Sequence, residues 1–262
     1  MILTVALDAT FDDRAVGRGI TVARVLHTLG RDTMVTGLVD ADTGPMIRAD
    51  VVAAGLRESL FDLAGPSLSI SDWADFVGGY HTLAARASVV VLSGSLRGKL
   101  PDDAYAQLIR TTPTPTILDT SGGPLLAGLA ARPAVVTPNA AELAEATGLT
   151  DPEKAARVLL ERGAGAVVAS LGEEGLLAVS DKGSWRARVT ETLHGNPAGA
   201  GAARVAALAA GHALDWPERL AEAVAVSAAA VPGPPAGDID PDTYARLRPA
   251  ITVEDLDAHA DR

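Results

Sequence analysis

His194-Gly195-Asn196-Pro197-Ala198-Gly199-Ala200-Gly201-Ala202-Ala203 is the stretch on which the reading of this 262-residue chain turns. Gly199-Ala200-Gly201 lets the backbone come close to a ligand, and the apolar-periodic run 202–213 after it reads as a helix. Free N–H groups and the positive end of the helix dipole then face whatever lies over the glycines. Such a turn is a seat for an anion, typically a phosphate.

Outward from this turn, short β-branched runs alternate with Ala/Leu-rich helical patterns. Residues 2–7, 34–39, 88–92, 116–119, 134–137 and 166–170 read as buried strands. Between them 20–29, 45–54, 71–84, 102–110, 140–147 and 152–162 read as helices. This alternation predicts a parallel sheet with helices on both faces. Residues 176–180 and 185–189, separated by Asp181-Lys182-Gly183, predict a β-hairpin. After it the chain reads as helical, with a second helix over 217–230 ended by the Pro/Gly cluster 231–237. No repeat or linker divides the chain, which reads as one domain over 1–262.

Composition narrows the function classes. Hydrophobic residues make up 48% of the chain but aromatics only 3%, so the core must be aliphatic, as suits a buried parallel sheet. Cysteine is absent, which removes disulfides, thiolate metal sites and Cys nucleophiles and fits a cytoplasmic protein. A net charge of −11, spread along the chain, argues against nucleic-acid binding. No leader pattern or membrane span is expected.

The turn and several earlier motifs resemble the PfkB (ribokinase-like) carbohydrate kinases, in the 1-phosphofructokinase/tagatose-6-phosphate kinase branch. Gly17-Arg18-Gly19-Ile20-Thr21-Val22-Ala23 is similar to the family's Gly-Gly-Lys-Gly-x-Asn-x-Ala signature. Ser93-Gly94-Ser95-Leu96, Asp119-Thr120-Ser121-Gly122, Pro138-Asn139-Ala140-Ala141-Glu142-Leu143 and Ser170-Leu171-Gly172-Glu173-Glu174-Gly175 follow in the family's order. The resemblance implies a three-layer α/β/α sandwich with a mainly parallel central sheet. It also implies Mg-ATP and a sugar or sugar phosphate as ligands. Gly199, Ala200 and Gly201 would be the anion hole. Asn139, Glu142, Ser170, Gly172, Gly175 and Ser227 would line the nucleotide side, with Asn139 and Glu142 holding Mg²⁺ through water. Asp12, Gly17, Arg18, Gly19 and Thr21 would line the sugar side.

The departures fall on the chemistry. The family's proton-accepting Asp is Ala202 here, Arg18 stands for Lys, Thr21 for Asn, and Thr137 for the Lys before Pro-Asn. The family's β-sheet lid is expected to be missing or vestigial. Asp12 is separated from Gly17 only by Asp13-Arg14-Ala15-Val16, and Glu58-Ser59-Leu60 runs straight into Phe61-Asp62-Leu63. Neither stretch offers room for lid strands, so a lid-mediated dimer is not expected. Losing a general base costs roughly 10²–10⁴-fold in rate. Two functions follow: a kinase with impaired turnover, or a non-catalytic binder of nucleotide, phosphate or sugar phosphate acting through a protein partner.

Other readings of single motifs are weaker. Asn139 and Glu142 also satisfy the capping-box pattern at a helix start. Gly199-Ala200-Gly201-Ala202-Ala203-Arg204 fails as a dinucleotide fingerprint at Arg204, and Gly94-Ser95-Leu96-Arg97-Gly98-Lys99-Leu100 is a residue short of a Walker loop. Neither Asp12 nor His194 is placed to replace the missing base.

Overall fold

A computed structural model describes residues 1–65, 68–96, 100–191, 193, 195–196, 198–232 and 238–259. His194, Pro197, the loop 97–99 and most of the Pro/Gly cluster (233–237) lie outside the described residues.

The first half of the chain runs β1 (Ile2–Ala6), β2 (Thr10–Asp12), β3 (Arg14–Val16), α1 (Arg18–Thr28), β4 (Thr33–Val39), α2 (Gly44–Ala53), β5 (Arg57–Asp62), α3 (Ile70–Ala84), β6 (Val89–Ser93), α4 (Ala104–Thr111), β7 (Thr116–Asp119) and α5 (Gly122–Leu129). Then follow β8 (Val135–Val136), α6 (Ala140–Thr147), α7 (Pro152–Glu161), β9 (Ala166–Ser170), β10 (Leu176–Ser180), β11 (Gly183–Arg188), α8 (Ala200–Ala210), α9 (Trp216–Ala229), α10 (Pro241–Leu247) and β12 (Thr252–Asp255).

Ten strands form one sheet in the order β12-β11-β10-β9-β8-β7-β6-β1-β4-β5. Pairing is parallel from β5 through β9 and antiparallel from β9 to β12. Alternate strand residues face opposite layers, as the pleat requires. Val89, Val91, Ile117, Val135 and Val168 pack with α1, α8 and α9. Leu3, Val5, Val90, Leu92, Leu118 and Val167 pack under α3, α4 and α7. The three-layer α/β/α expectation is met. Among the described residues no helix is long and apolar enough to cross a membrane.

Helix starts follow their capping residues. Ser69 with Asp72, and Asn139 with Glu142, each make a reciprocal capping box. Asp151 and Asp215 accept first-turn N–H groups just ahead of Pro152 and Pro217.

The lid expectation needs one correction. The stretch before Gly17 does form strands: β2 and β3 pair antiparallel as a separate two-stranded sheet, turning at Asp13 with φ 56°. Asp tolerates that left-handed conformation, so two three-residue strands fit where none was expected. The hairpin is pinned from below, because Asp50 accepts from the Ala15 N–H (3.0 Å) and pairs with Arg24, which also donates to the Ala15 carbonyl. The second stretch is not lid material but β5, the parallel edge strand beside β4.

The first turn of α1 lies hard against β1. A Cβ at Gly19 would stand 2.5 Å from the Val5 carbonyl oxygen. Gly19 is fully buried there, so the position answers to helix–sheet contact. Gly19→Ala is expected to lower unfolding free energy by about 1–3 kcal/mol, as overpacking does. A denaturant melt with an unshifted midpoint would contradict this close approach.

Candidate functional site

The carboxyl ends of the parallel strands open into a cleft of ≈ 600 Å³. It lies where β1 sends the chain to β4 on one side while β6 returns on the other, the reversal at which ligands bind in open α/β sheets. Asp8 follows β1, Ser95 follows β6, Asp119 ends β7, Asn139 follows β8 and Ser170 ends β9; all five line the cleft. Gly17, Arg18 and Thr21 enter from the start of α1, Glu142 from α6, and Gly199, Gly201, Ala202 and Arg204 from α8.

Gly199 stands at the N-cap of α8 with φ 101°, and no side chain caps the helix. The first turn contains no acid. Gly201 leaves open space where a Cβ would stand. α9 holds this turn in place, since Ser227 Oγ donates to the Ala200 carbonyl (3.0 Å).

Three carboxylates share the cleft, and their commitments differ. Asp119 is 5% exposed and accepts from Ser93 Oγ (2.6 Å) and Thr137 Oγ1 (2.9 Å), with the Arg18 guanidinium 3.6 Å away. Glu142 accepts the Asn139 N–H through Oε2 (2.8 Å) while Asn139 Oδ1 accepts the Glu142 N–H (2.9 Å). The capping box therefore occupies one Glu142 oxygen, and no bond to Oε1 is found among the described residues. Asp8 is the least committed. Oδ2 accepts a long 3.5 Å bond from the Arg18 N–H, and Oδ1 is buried without a hydrogen-bond partner among the described residues. Burial pushes the Asp8 carboxyl above its ordinary value, against the lowering effects of the Arg18, Asp8 and Ser95 N–H groups and the Arg18 charge. Gly94, held at φ 115° with its carbonyl bonded to Tyr105 Oη (3.1 Å), leaves the room Asp8 occupies, since any Cβ there would overlap the carboxylate.

One cation in the cleft is buried. Arg204 is 5% exposed and donates from Nη2 to the Thr137 carbonyl (2.7 Å), while its Nε has no partner. Burial holds the Arg204 guanidinium below its ordinary pKa, opposed by the charges of Asp119 and Glu142.

The geometry agrees with similarity to known proteins. A family model described as pfkB family carbohydrate kinase matches residues 75–240. The chain belongs to this family. It is 34% identical over 232 residues to the ATP-dependent 6-phosphofructokinase isozyme 2 of Mycobacterium tuberculosis, covering 76% of this chain and 68% of that one. It is 32% identical over 248 residues to the 1-phosphofructokinase of Escherichia coli, covering 82% and 80%. In fold it matches phosphofructokinase-2 of Escherichia coli in complex with substrates and products, with TM-score 0.80, 22% identity, and 95% and 98% coverage.

Not every residue singled out in the sequence reaches this PfkB cleft. Asp12 is exposed in the β2–β3 hairpin and does not line it; the carboxylate there is Asp8, four residues earlier, at the end of the central strand. Gly19 packs on β1 instead. Gly172 and Gly175 shape the turn between β9 and β10, where Leu171 N–H bonds the Gly175 carbonyl, and neither lines the cleft. Ser227 supports the anion turn from behind. Arg204 was noticed in the sequence only as a motif mismatch. A lone Arg in the run Ala202-Ala203-Arg204-Val205-Ala206-Ala207 was the available signal, since a charge inside an apolar helix needs a reason. Asp8 carried no comparable signal.

Asp8 gives a pH-dependent prediction. Its folded pKa is raised, so between the ordinary 3.8 and that raised value the native state binds the extra proton, and stability falls as pH rises through this window. Asp8→Asn is expected to raise Tm at pH 7, and the gain should vanish as pH falls below about 3.8. Melts of both proteins from pH 7 downward check it; a pH-independent difference would refute a strained Asp8.

Proposed function

We propose that this PfkB-family chain binds Mg-ATP together with a sugar phosphate in the cleft, and transfers the phosphoryl group slowly. The observation that carries this reading is the first turn of α8, which keeps an uncapped anion seat and places Ala202, not an acid, beside it. The named activities of the 6-phosphofructokinase and 1-phosphofructokinase relatives support a sugar phosphate as acceptor.

The residues fit those ligands. Gly199, Ala200 and Gly201 offer a phosphate the helix N-terminus. Arg18, half exposed at the mouth, and Asp8 face the acceptor side. Glu142 keeps Oε1 for a water on Mg²⁺ while Oε2 closes the capping box, so both roles suggested by the sequence are compatible. The metal, when bound, neutralises phosphate oxygens.

Phosphoryl transfer needs the acceptor hydroxyl to lose its proton. No acid on α8 accepts it, and Asp119 is engaged by two hydroxyls. The expected deficit is roughly 10²–10⁴-fold in kcat.

Calorimetry with Mg-ATP and ADP release over a panel of hexose phosphates test this reading, alongside Ala202→Asp. Nucleotide binding by the native chain, weak turnover, and at least tenfold faster turnover in the variant are expected. Rapid turnover by the native chain would refute the slow-transfer reading. Gly201→Ala adds an independent check. Its Cβ meets no protein atom and Ala favours the helix, so stability should rise by about 0.5–1 kcal/mol while Mg-ATP affinity falls. Unchanged affinity would place the phosphates elsewhere.

A further inference from the structure

We propose that Arg204 is a phosphate-binding residue of this cleft, its guanidinium holding a phosphate monoester seated on Gly199, Ala200 and Gly201. The proposal rests on the cleft being the ligand site described above, and names a ligating side chain that the sequence motifs do not assign.

Three observations converge on it. Arg204 lies five residues past the N-cap of α8, so its charge has the same sign as the adjoining helix terminus. An anion held between them would be attracted by both, and no acid in the first turn of α8 plays that part. Among the described residues, no carboxylate oxygen lies within salt-bridge distance of the guanidinium. Asp119 and Glu142 influence it at longer range, but Asp119 is engaged by Ser93, Thr137 and Arg18, and Glu142 by the Asn139 N–H.

The second observation concerns hydrogen bonds. A guanidinium carries five N–H donors. Only the Nη2 bond to the Thr137 carbonyl is found among the described residues, and the buried Nε has no partner. A buried arginine with this much unused capacity is costly unless a ligand meets it. The third is position. Arg204 lines the same cleft wall as Gly199, Gly201 and Ala202, so a phosphate over the turn would meet backbone N–H groups on one side and the guanidinium on another. Planar guanidinium donors match phosphate oxygens in pairs.

A purely structural arginine, tying α8 to the strand end at Thr137, is the competing explanation. Arg204→Met keeps the length and apolar stem and removes the charge, and exchanging a buried charge for an apolar side chain is often tolerated. Titrations with inorganic phosphate, Mg-ATP, adenosine, a hexose 6-phosphate and the free hexose, on native and variant protein, separate the two. The expected result is at least tenfold weaker binding of inorganic phosphate in the variant, with adenosine and free hexose unchanged. Whether Mg-ATP or the hexose 6-phosphate suffers the same loss identifies which ligand's phosphate meets Arg204. Equal phosphate affinity in the two proteins, or a matching loss for adenosine, overturns the proposal, as does a native chain that binds none of the phosphate probes. Inorganic phosphate binding that depends on Arg204, in a chain that ignores Mg-ATP, would keep the proposal and reject the kinase reading. If Arg204→Met does not fold, Arg204→Lys takes its place: it keeps the charge but loses the paired donors. Selective weakening of phosphate binding is then expected, and a loss equal for adenosine overturns the proposal.

Discussion

α8 is buried along 202–209 and packed with α1 and α9 above the central strands, and it carries the anion turn into the cleft. Its small side chains, Ala202, Ala203, Ala206, Ala207 and Ala209, let the helices approach closely. Shape alone would leave the helix free to slide along its axis. Ser227 on α9 stops that slide by donating to the Ala200 carbonyl, and Arg204 does the same from the other side through the Thr137 carbonyl. The anion turn is therefore a rigid feature, placed by core packing and by two hydrogen bonds to backbone oxygens.

Thr137 is where the buried charges of the site meet. Its hydroxyl donates to Asp119 and its carbonyl accepts from Arg204, so one short polar residue separates a buried anion from a buried cation. A carboxylate that deep requires donors, and Ser93 and Thr137 supply them on neighbouring strands while Arg18 contributes charge from the mouth. The resemblance to PfkB kinases puts a lysine at position 137. With threonine there, the positive charges beside the strand ends come from helices, Arg18 on α1 and Arg204 on α8. Asp8, in contrast, keeps one buried oxygen without a hydrogen-bond partner and meets the Arg18 N–H only at 3.5 Å.

The parts legible in the sequence were those with a strong local period or a paired signal. Six of the seven parallel strands, the β10–β11 hairpin, and the helices before and after Gly199 all show alternation or apolar stripes, and the capping residues mark their starts. The elements that escaped lack such signals. β5, Arg57–Asp62, is an edge strand whose charged residues break any alternation. β12, Thr252–Asp255, is another polar edge. α5, Gly122–Leu129, begins Gly-Gly-Pro, which reads as a loop, yet Leu125 and Leu129 are buried in the core cluster that holds Leu118 of β7. The site followed the same logic. Motif-borne residues such as Gly17, Asn139, Glu142 and Gly199 line one cleft. Asp8 and Asp12 both follow β1, but Asp12 ends β2 in the hairpin and is exposed, while Asp8 stands just after β1 and lines the cleft.

Ala202 and Arg204 carry a mechanistic implication when taken together. On the proposals above, a guanidinium and a helix terminus would supply electrostatic stabilisation to phosphate oxygens, in the bound state and during transfer alike. Acceleration requires a group whose interaction strengthens only as the reaction proceeds, and a proton acceptor for the attacking hydroxyl is such a group. α8 presents the first kind of interaction and lacks the second.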